Sequence, residues 1–201
     1  MEFVKEFVTF LHQKEIIRFG DFTLASGKSS SYYVDLRLVP SYPHEFRMMI
    51  KHLENQISED IGLENFESIV SVPTGGLVIA SALAIETVKP LIYVRSKPKD
   101  YGTSKSVEGK IHDDMKVVMI DDVATTGGSV VNAIKSLREV NVPVKDAYVI
   151  VDRMEGATEA FDELGVKMHS ILNILQIAEI LYEQEMIDVE ILDKVKKQIS
   201  K

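Results

Sequence analysis

The segment from Val117 to Ser129 carries the residues whose types and spacing most clearly suggest chemistry. It begins with four apolar residues, continues with Asp121 and Asp122, and ends in a turn rich in threonine and glycine. The apolar run is typical of a buried parallel strand, and apolar residues at helical spacing after Gly127 predict a helix. The two acids are therefore expected at the carboxyl end of a strand, where open α/β sheets bind their ligands.

The turn itself has the composition of a phosphate-binding site. Free backbone N–H groups at a helix start attract anions, and hydroxyl side chains and glycines accompany them here. We assign to this site Asp121, Asp122, Val123, Ala124, Thr125, Thr126, Gly127, Gly128 and Ser129. The acids suit ribose hydroxyls or the water shell of Mg²⁺. Strand, turn and capped helix are ordinary parts of α/β proteins, but this density of polar residues favours a ribose-phosphate site.

Composition argues against several other classes of function. The 201 residues include 31 acidic and 23 basic side chains, and the net charge of −8 disfavours nucleic acid as a partner. The chain has no cysteine, and no apolar stretch approaches the ~20 residues of a membrane span, so we expect a cytoplasmic protein without membrane contact. P-loop and Rossmann glycine motifs are absent from the sequence, which disfavours nucleoside triphosphates and dinucleotides.

Hydrophobic periodicity predicts an α/β fold in a single domain over residues 1–201. Apolar runs alternate with helical patterns in a core at about 43–172, which indicates a doubly wound, mostly parallel sheet of about five strands flanked by helices. The predicted strands are Ile69 to Val72, Leu91 to Val94, Val117 to Asp121, Ala147 to Asp152 and Val166 to Leu172. Around them we expect a helix over residues 2 to about 17, a hairpin-like region at 20–39 and a helical tail at 174–201.

The connection between Val94 and Lys116 is long for a compact α/β domain. It shows little periodicity and is basic, although the protein as a whole is acidic. Loops of this length usually have a function, and the local positive charge favours an anionic ligand; a solvated surface is the alternative. The basic residues are Arg95, Lys97, Lys99, Lys105 and Lys110.

The segment from Val117 to Ser129 resembles the 5-phosphoribosyl 1-diphosphate (PRPP) signature of type I phosphoribosyltransferases. Residues 22–35, 95–102 and 152–157 together resemble the orotate phosphoribosyltransferases within that family, and the similarity runs from about residue 19 to 169. The resemblance implies the type I phosphoribosyltransferase fold, with a hood mainly at 1–40. It also implies Mg²⁺-dependent transfer of ribose 5-phosphate from PRPP to orotate, in pyrimidine nucleotide synthesis.

For the PRPP side of the reaction, the resemblance identifies a lid and a diphosphate loop. Arg95 and Lys99 match the family's lid arginine and lysine, and the lid, residues 95–110, reaches the neighbouring site of a homodimer in that family. Ser96 and Tyr101 stand where many members have lysine and histidine. Tyr101 can hydrogen-bond a phosphate but carries no positive charge at neutral pH, and packing of the closed loop is its alternative role. The turn at Thr74, Gly75 and Gly76 resembles the diphosphate loop, with a plain strand-to-helix turn as the alternative.

For the orotate side, Arg153 and Thr125 match the base-binding positions, and Arg153 suits an anionic carboxylate. Tyr32 and Tyr33 match the paired aromatics of the hood, although a core position for one of them is equally compatible with strand geometry. Lys28 is a candidate because Ala25 stands where the family often has lysine.

Lys99, Asp121 and Asp122 are the expected catalytic residues. We expect the two acids to hold the ribose hydroxyls and to orient waters of Mg²⁺, so that no side chain binds the metal directly.

Two other functions are compatible with the PRPP signature. A purine phosphoribosyltransferase shares it, but Arg153 and the Ser26-Gly27 stretch favour orotate. A PRPP-binding regulatory protein without turnover would also keep the signature. The acidic charge, the lack of a DNA-binding motif and the lid lysine Lys99 argue against that alternative.

Overall fold

The structure, a computed structural model, describes residues 2–23, 27, 29–95 and 106–200. These residues form helices and strands in an alternating order. The helices are α1 (Glu2–Gln13), α2 (Pro43–Asp60), α3 (Gly75–Thr87), α4 (Gly128–Arg138), α5 (Ala157–Asp162), α6 (Ile174–Glu183) and α7 (Val189–Ile199). The strands are β1 (Ile17–Thr23), β2 (Ser29–Val34), β3 (Ser68–Ser71), β4 (Leu91–Val94), β5 (Val107–Glu108), β6 (Val117–Ala124), β7 (Val144–Asp152) and β8 (Lys167–Asn173).

The central sheet has six strands in the order β5-β4-β3-β6-β7-β8. Neighbouring strands are parallel except for β4 and β5, which are antiparallel. Five parallel strands and one short antiparallel edge strand confirm the predicted fold class. The chain extends the sheet in one direction from β3 and in the other from β6, so the strand order reverses between them. Open α/β sheets bind ligands at the carboxyl ends of the strands beside such a reversal.

Helices cover both faces of the sheet because side chains alternate along each strand. Ile69 and Val118 belong to the core on the side of α2 and α3. Val70 and Met119 belong to the core on the side of α4 and α5. All four side chains are almost completely buried, as expected for parallel strands enclosed on both faces.

The first helix is shorter than predicted. It ends at Gln13, whereas the sequence suggested residue 17. Glu15 has a φ of 54°, a left-handed conformation that stops the helix and turns the chain. Ile16 and Ile17 are fully buried after this turn, and Ile17 begins β1.

The strand that carries the acids is longer than predicted. It continues past Asp121 to Ala124, because β6 pairs with β7 as far as the partners Ala124 and Asp152. Near the middle of the sequence, the segment without periodicity contains β5, whose two residues are too few to leave a pattern.

β1 and β2 form an antiparallel hairpin outside the central sheet. The C-terminal helix α7 packs against β2 and against α6, and it buries Leu192 and Val195. The last helix of the described chain therefore lies beside the hairpin. Among the described residues, none of the helices combines the length and the apolar character that a membrane crossing requires.

Candidate active site

Three turns follow neighbouring parallel strands at one edge of the sheet. The turn after β3 contains Gly75 and Gly76, the turn after β6 contains residues 125–129, and the turn after β7 contains Arg153. β3, β6 and β7 are adjacent, so the sheet brings together segments that are far apart in sequence. This is the edge that the predicted acids and the two predicted glycine turns share.

Asp121 and Asp122 form a closely spaced acid pair at this edge. Asp121 is 9% exposed, and its Oδ1 accepts a hydrogen bond of 3.0 Å from the backbone N–H of Asp122. Burial and the neighbouring charge of Asp122 raise the pKa of Asp121 well above its usual range. An incoming cation or hydroxyl donor would stabilise the ionised pair, because it offsets both causes of this shift.

The glycine turn after β3 packs directly on the acid pair. A Cβ on Gly75 would overlap the carboxylate of Asp122, and a Cβ on Gly76 would overlap that of Asp121. The Pro73–Thr74 peptide bond before these glycines is cis. Below the turn, Ser71 Oγ donates a hydrogen bond of 2.7 Å to the carbonyl of Ile120, which ties the end of β3 to β6. The absence of side chains at these two positions is what lets the turn approach the acids.

The phosphate cradle, as we call residues 125–129, lies at the start of α4. It borders a cavity of about 220 Å³ together with the end of β6. Gly127 has a φ of 72°, and a Cβ there would come within 2.5 Å of the Phe161 ring, so this position requires glycine. The first N–H groups of a helix have no partner within the helix, and those of α4 begin at this cavity. The cradle therefore offers backbone and hydroxyl donors to an anion.

Arg153 is almost completely buried after β7, with 5% of its side chain exposed. Its Nε and Nη2 donate to Glu155 Oε1 over 3.1 and 2.9 Å, and Nη2 also donates to Ser30 Oγ over 3.1 Å. The guanidinium carbon lies 4.6 Å from the ring centre of Tyr32, a cation–π contact. A buried charge of this kind needs a partner, and Glu155 provides it.

Glu155 and Asp152 hold the turn that carries the arginine. Burial alone would raise the pKa of Glu155, but hydrogen bonds from Tyr32 and Arg153 outweigh it and lower the pKa below the usual value. Asp152 accepts a hydrogen bond of 2.8 Å from the N–H of Met154. Its pKa is raised by burial.

The two hood tyrosines occupy different environments. Tyr32 has no exposed surface, and its hydroxyl donates to Glu155 Oε1 over 2.8 Å. Tyr33 lies at the surface of the hairpin, where Arg18 stacks 5.3 Å from its ring centre and Arg37 Nη2 lies 3.3 Å from its hydroxyl. Strand geometry allowed a core position for one of the two tyrosines, and in the structure Tyr32 occupies it. A contact between either tyrosine and a base stays a prediction.

Of the predicted lid residues, the structure describes Arg95 but not Lys99 or Tyr101. Arg95 Nη1 lies 3.5 Å from Glu108 Oε1, and its N–H donates to the carbonyl of Ser106 over 2.8 Å. Arg95 also borders a cavity of about 410 Å³ that reaches Ser129 in the cradle. Lys28, like Lys99 and Tyr101, lies outside the described residues.

Sequence reasoning missed two members of the arginine site, Ser30 and Gln198, and gave no role to Glu155. Gln198 Nε2 donates to Ser30 Oγ and to Glu155 Oε1, each over 3.1 Å. One signal was present, because Gln198 continues the spacing of Leu192 and Val195, the buried residues of α7. A polar residue at a core-facing helical position needs a polar partner.

The described residues contain no group of three or more histidine, cysteine, aspartate or glutamate side chains arranged to hold a metal ion. Among the described residues at this edge, the sequence associated only the acid pair with a metal. This pair offers two carboxylates. This arrangement suits a cation that keeps most of its waters and is bound mainly through its substrate.

Comparison with known proteins identifies the family to which the chain belongs. Residues 43–177 match the model of the phosphoribosyl transferase domain. An orotate phosphoribosyltransferase of Cenarchaeum symbiosum is 47% identical over 97% of this chain and 98% of its own length. The crystal structure of orotate phosphoribosyltransferase from Aeropyrum pernix is 34% identical, with a TM-score of 0.77 over 90% of this chain and 99% of that one.

A longer protein contains a similar fold. The structure of Leishmania donovani UMP synthase is 31% identical, with a TM-score of 0.83 over 98% of this chain. The present chain spans 42% of the length of that protein. By its domain match and by near-full-length identity, the chain belongs to the phosphoribosyltransferase family and, within it, to the orotate phosphoribosyltransferases.

Proposed function

We propose that the chain transfers the ribose 5-phosphate group of PRPP to orotate, giving orotidine 5′-monophosphate and diphosphate, in pyrimidine nucleotide synthesis. The observation that carries this proposal is the meeting of an acid pair, a glycine turn and a phosphate cradle beside a buried arginine. The first three suit the phosphates and the diol of PRPP, and the arginine suits an acid on the base. Family membership supports the same reaction.

In the proposed reaction, the bond from C1 of the ribose to the diphosphate oxygen breaks, and its electron pair leaves with the diphosphate. N1 of ionised orotate donates the pair that forms the new bond to C1. Positive charge develops on the ring in between, as in glycoside cleavage. The protein must therefore stabilise the leaving diphosphate and keep water from C1.

The cradle is proposed to bind the 5′-phosphate through the N–H groups at the start of α4 and the hydroxyls of Thr125, Thr126 and Ser129. Val123 and Ala124, at the end of β6, line the approach to it. Thr74, Gly75 and Gly76 are proposed to bind the diphosphate, since the glycines allow a close backbone approach. Asp121 and Asp122 are then placed to accept hydrogen bonds from the 2′- and 3′-hydroxyls.

Mg²⁺ is the proposed cofactor, held through PRPP and water and oriented by Asp121 and Asp122. The raised pKa of Asp121 supports this fit, because the acid pair favours a nearby cation. When bound, the ion neutralises negative charge on the diphosphate. The carboxylates orient its waters and the diol, and a proton-accepting role for Asp122 is not required if orotate enters ionised.

Orotate is proposed to bind between the hood and the turn after β7, with Arg153 facing its carboxylate and Thr125 between base and phosphate. Lys28 and Tyr33 are further candidates at the hood. The lid residues Arg95, Lys99 and Tyr101 are proposed to close over the diphosphate and exclude water. The ion pair of Arg95 with Glu108 is compatible with this role, since its side chains are 39% and 26% exposed and Arg95 can exchange one anion for another.

We also propose that the protein is a cytoplasmic homodimer in which each lid reaches the neighbouring site. α3 is mostly apolar, and one side of it packs in the core. On its other side Val78 and Ile85 are 42% and 81% exposed, and Val88, which follows the helix, is 89% exposed. Exposed apolar side chains grouped on one surface mark a contact surface, and a second copy of the chain would cover this one.

A steady-state assay with PRPP and Mg²⁺ tests the proposal. We expect orotate to be consumed in equal amount to the diphosphate released, and we expect a chelator to stop the reaction. Consumption of adenine or hypoxanthine without orotate would instead support a purine phosphoribosyltransferase. PRPP binding without turnover of any base would support the regulatory alternative.

A further inference from the structure

Gln198, in the last turn of α7, bonds to two strand residues and to the turn that carries Arg153. Its Oε1 accepts from the N–H and the hydroxyl of Ser31 over 2.7 and 2.9 Å. Its Nε2 donates to Ser30 Oγ and Glu155 Oε1, each over 3.1 Å. Both N–H donors and both acceptor positions of the amide are therefore used.

The helix that carries Gln198 is firmly placed. Asp188 caps its start by accepting the N–H of Ile191 over 2.9 Å. Leu192 and Val195, which precede Gln198 at intervals of three residues, are 6% and 0% exposed in the core. Residues three apart share a helix face, so the same packing that anchors α7 directs Gln198 toward β2. Gln198 is thus a fixed point and not a mobile surface side chain.

Glu155 Oε1 is the common acceptor of the arginine site. It accepts from Tyr32 Oη over 2.8 Å, from Arg153 Nε and Nη2, and from Gln198 Nε2. Ser30 Oγ links the same groups, since it accepts from Arg153 Nη2 and from Gln198 Nε2. Gln198 therefore contacts both of the residues that hold the Nη2 atom of the guanidinium.

The third nitrogen of the guanidinium differs from the other two in its contacts with the described residues. Nη1 of Arg153 forms no hydrogen bond with any of the described residues, whereas Nε and Nη2 are held by Glu155 and Ser30. A planar guanidinium fixed on two of its nitrogens can turn very little, so the direction of Nη1 depends on where Glu155 and Ser30 stand.

We propose that Gln198 is a positioning residue for the base, which sets the direction in which Arg153 presents Nη1 to the carboxylate of orotate. The role rests on the proposed function, because it assumes that Arg153 binds orotate. The last turn of the C-terminal helix is then part of the acceptor site. Only an amide supplies donors on one side, for Glu155 and Ser30, and an acceptor on the other, for Ser31.

Gln198→Leu and Gln198→Glu test this role. Leucine removes every hydrogen bond at similar size, and we expect the KM for orotate to rise about tenfold, the scale of one hydrogen bond to a charged group. Glutamate also places a second carboxylate against Glu155, so the rise should be larger. The KM for PRPP and kcat should change by less than about twofold, because the hydrogen bonds of Gln198 go to Ser30, Ser31 and Glu155 and not to the cradle.

Lys197→Ala is the matched control, since Lys197 precedes Gln198 on the same helix turn and is exposed. It should leave all three constants unchanged. If Gln198→Leu unfolds at the assay temperature, Gln198→Asn replaces it, because asparagine keeps the amide but is one methylene too short to reach both partners.

An unchanged KM for orotate in a folded Gln198 variant would overturn the inference. An equal rise in the KM for both substrates would also overturn it, because that result indicates a general structural role. Failure of the unmodified protein to use orotate would instead overturn the proposed function.

Discussion

The phosphate cradle and the arginine site lie at neighbouring strand ends, yet they are built in different ways. The cradle uses backbone N–H groups and hydroxyls of five consecutive residues. The arginine site collects side chains from β2, from the turn after β7 and from α7, and Ser30 and Gln198 are separated by 168 positions in sequence. Under the proposed function, a local segment would bind PRPP and a non-local network would select the base.

The two regions also differ in charge balance. Burial and the charge of Asp122 raise the pKa of Asp121, so the acid pair beside the cradle gains stability from an added cation or donor. The pKa of Glu155 is lowered despite burial, because Tyr32 and Arg153 donate to its carboxylate. Asp121 thus lacks a compensating positive charge among the described residues, whereas the charges of the arginine site are already paired.

Gly75→Ala should have the largest effect and should act on the donor side. The new Cβ would displace the carboxylate of Asp122, and misplacement of a positioning group by about 1 Å can cost a hundredfold in rate. We expect kcat/KM for PRPP to fall about 100-fold or more, while orotate binding measured by calorimetry stays intact.

Gly76→Ala is the comparison variant for this test. Its Cβ would meet the Asp121 backbone as well, at 2.9 Å from Cα, and backbone yields less than a side chain. It should therefore lower the unfolding temperature more than Gly75→Ala does. Equal activity of Gly75→Ala and the unmodified protein would show that this turn does not take part in PRPP binding.

Arg153→Ala should have the next largest effect and should act on the acceptor side. We expect the KM for orotate to rise about 30-fold with little change for PRPP, because one charge-assisted contact is lost. The variant should also be less stable, since Glu155 is left buried without its partner. Glu155→Gln in the same background should restore stability but not orotate affinity. Loss of PRPP affinity with intact orotate binding would contradict the assignment.

Asp121→Asn should stabilise the free protein while impairing turnover. The folded state holds the proton of Asp121 above the ordinary pKa of 3.8, so the folded state binds more protons than the unfolded state, and stability falls as pH rises through that interval. Asparagine does not titrate, so the variant does not lose stability in this way as the pH rises. In buffer without Mg²⁺ at pH 7, we expect the unfolding temperature to rise by roughly 2–4 °C, about 1 kcal/mol for a chain of this size.

The gain of Asp121→Asn should disappear below pH 3.8, where both states are protonated. Differential scanning calorimetry across pH measures it. A constant gain at every pH would assign the effect to packing instead of charge.

Tyr32→Phe should have the smallest effect. It removes the hydroxyl that donates to Glu155 but keeps the ring under the guanidinium. We expect the KM for orotate to rise only about threefold, because Glu155 Oε1 keeps its hydrogen bonds from Arg153 and Gln198. Tyr33→Phe is the comparison variant on the same strand, because Tyr33 is a further candidate for contact with the base, and a larger effect there would place the base nearer the surface of the hairpin.

The sequence predicted the parallel sheet and the cradle because both depend on neighbouring residues. An apolar run, two acids and a glycine turn leave a pattern within the thirteen residues from Val117 to Ser129. The end of α1 was mispredicted because Glu15 adopts a left-handed conformation that is unusual for its residue type. β6 extends past Asp121 because its partner strand continues, which the local sequence does not reveal.

The arginine site was predicted only at its centre. Arg153 and Tyr32 stand in recognisable stretches, but their arrangement depends on Gln198, which is 45 residues beyond Arg153 in sequence. Contacts at such separation arise from tertiary packing, here of α7 on β2. The position of Gln198 on the buried face of α7 indicates that it has a polar partner, but the sequence does not show which residue that partner is.

Calorimetric titration of the protein with PRPP in the presence of Mg²⁺ measures whether donor binding depends on the cradle side and not on the arginine site. We expect one binding site per chain in the unmodified protein, near-normal affinity in Arg153→Ala and strongly weakened binding in Gly75→Ala. No heat of binding in the unmodified protein, or equal loss of PRPP affinity in both variants, would show that the donor is not bound by a separate region.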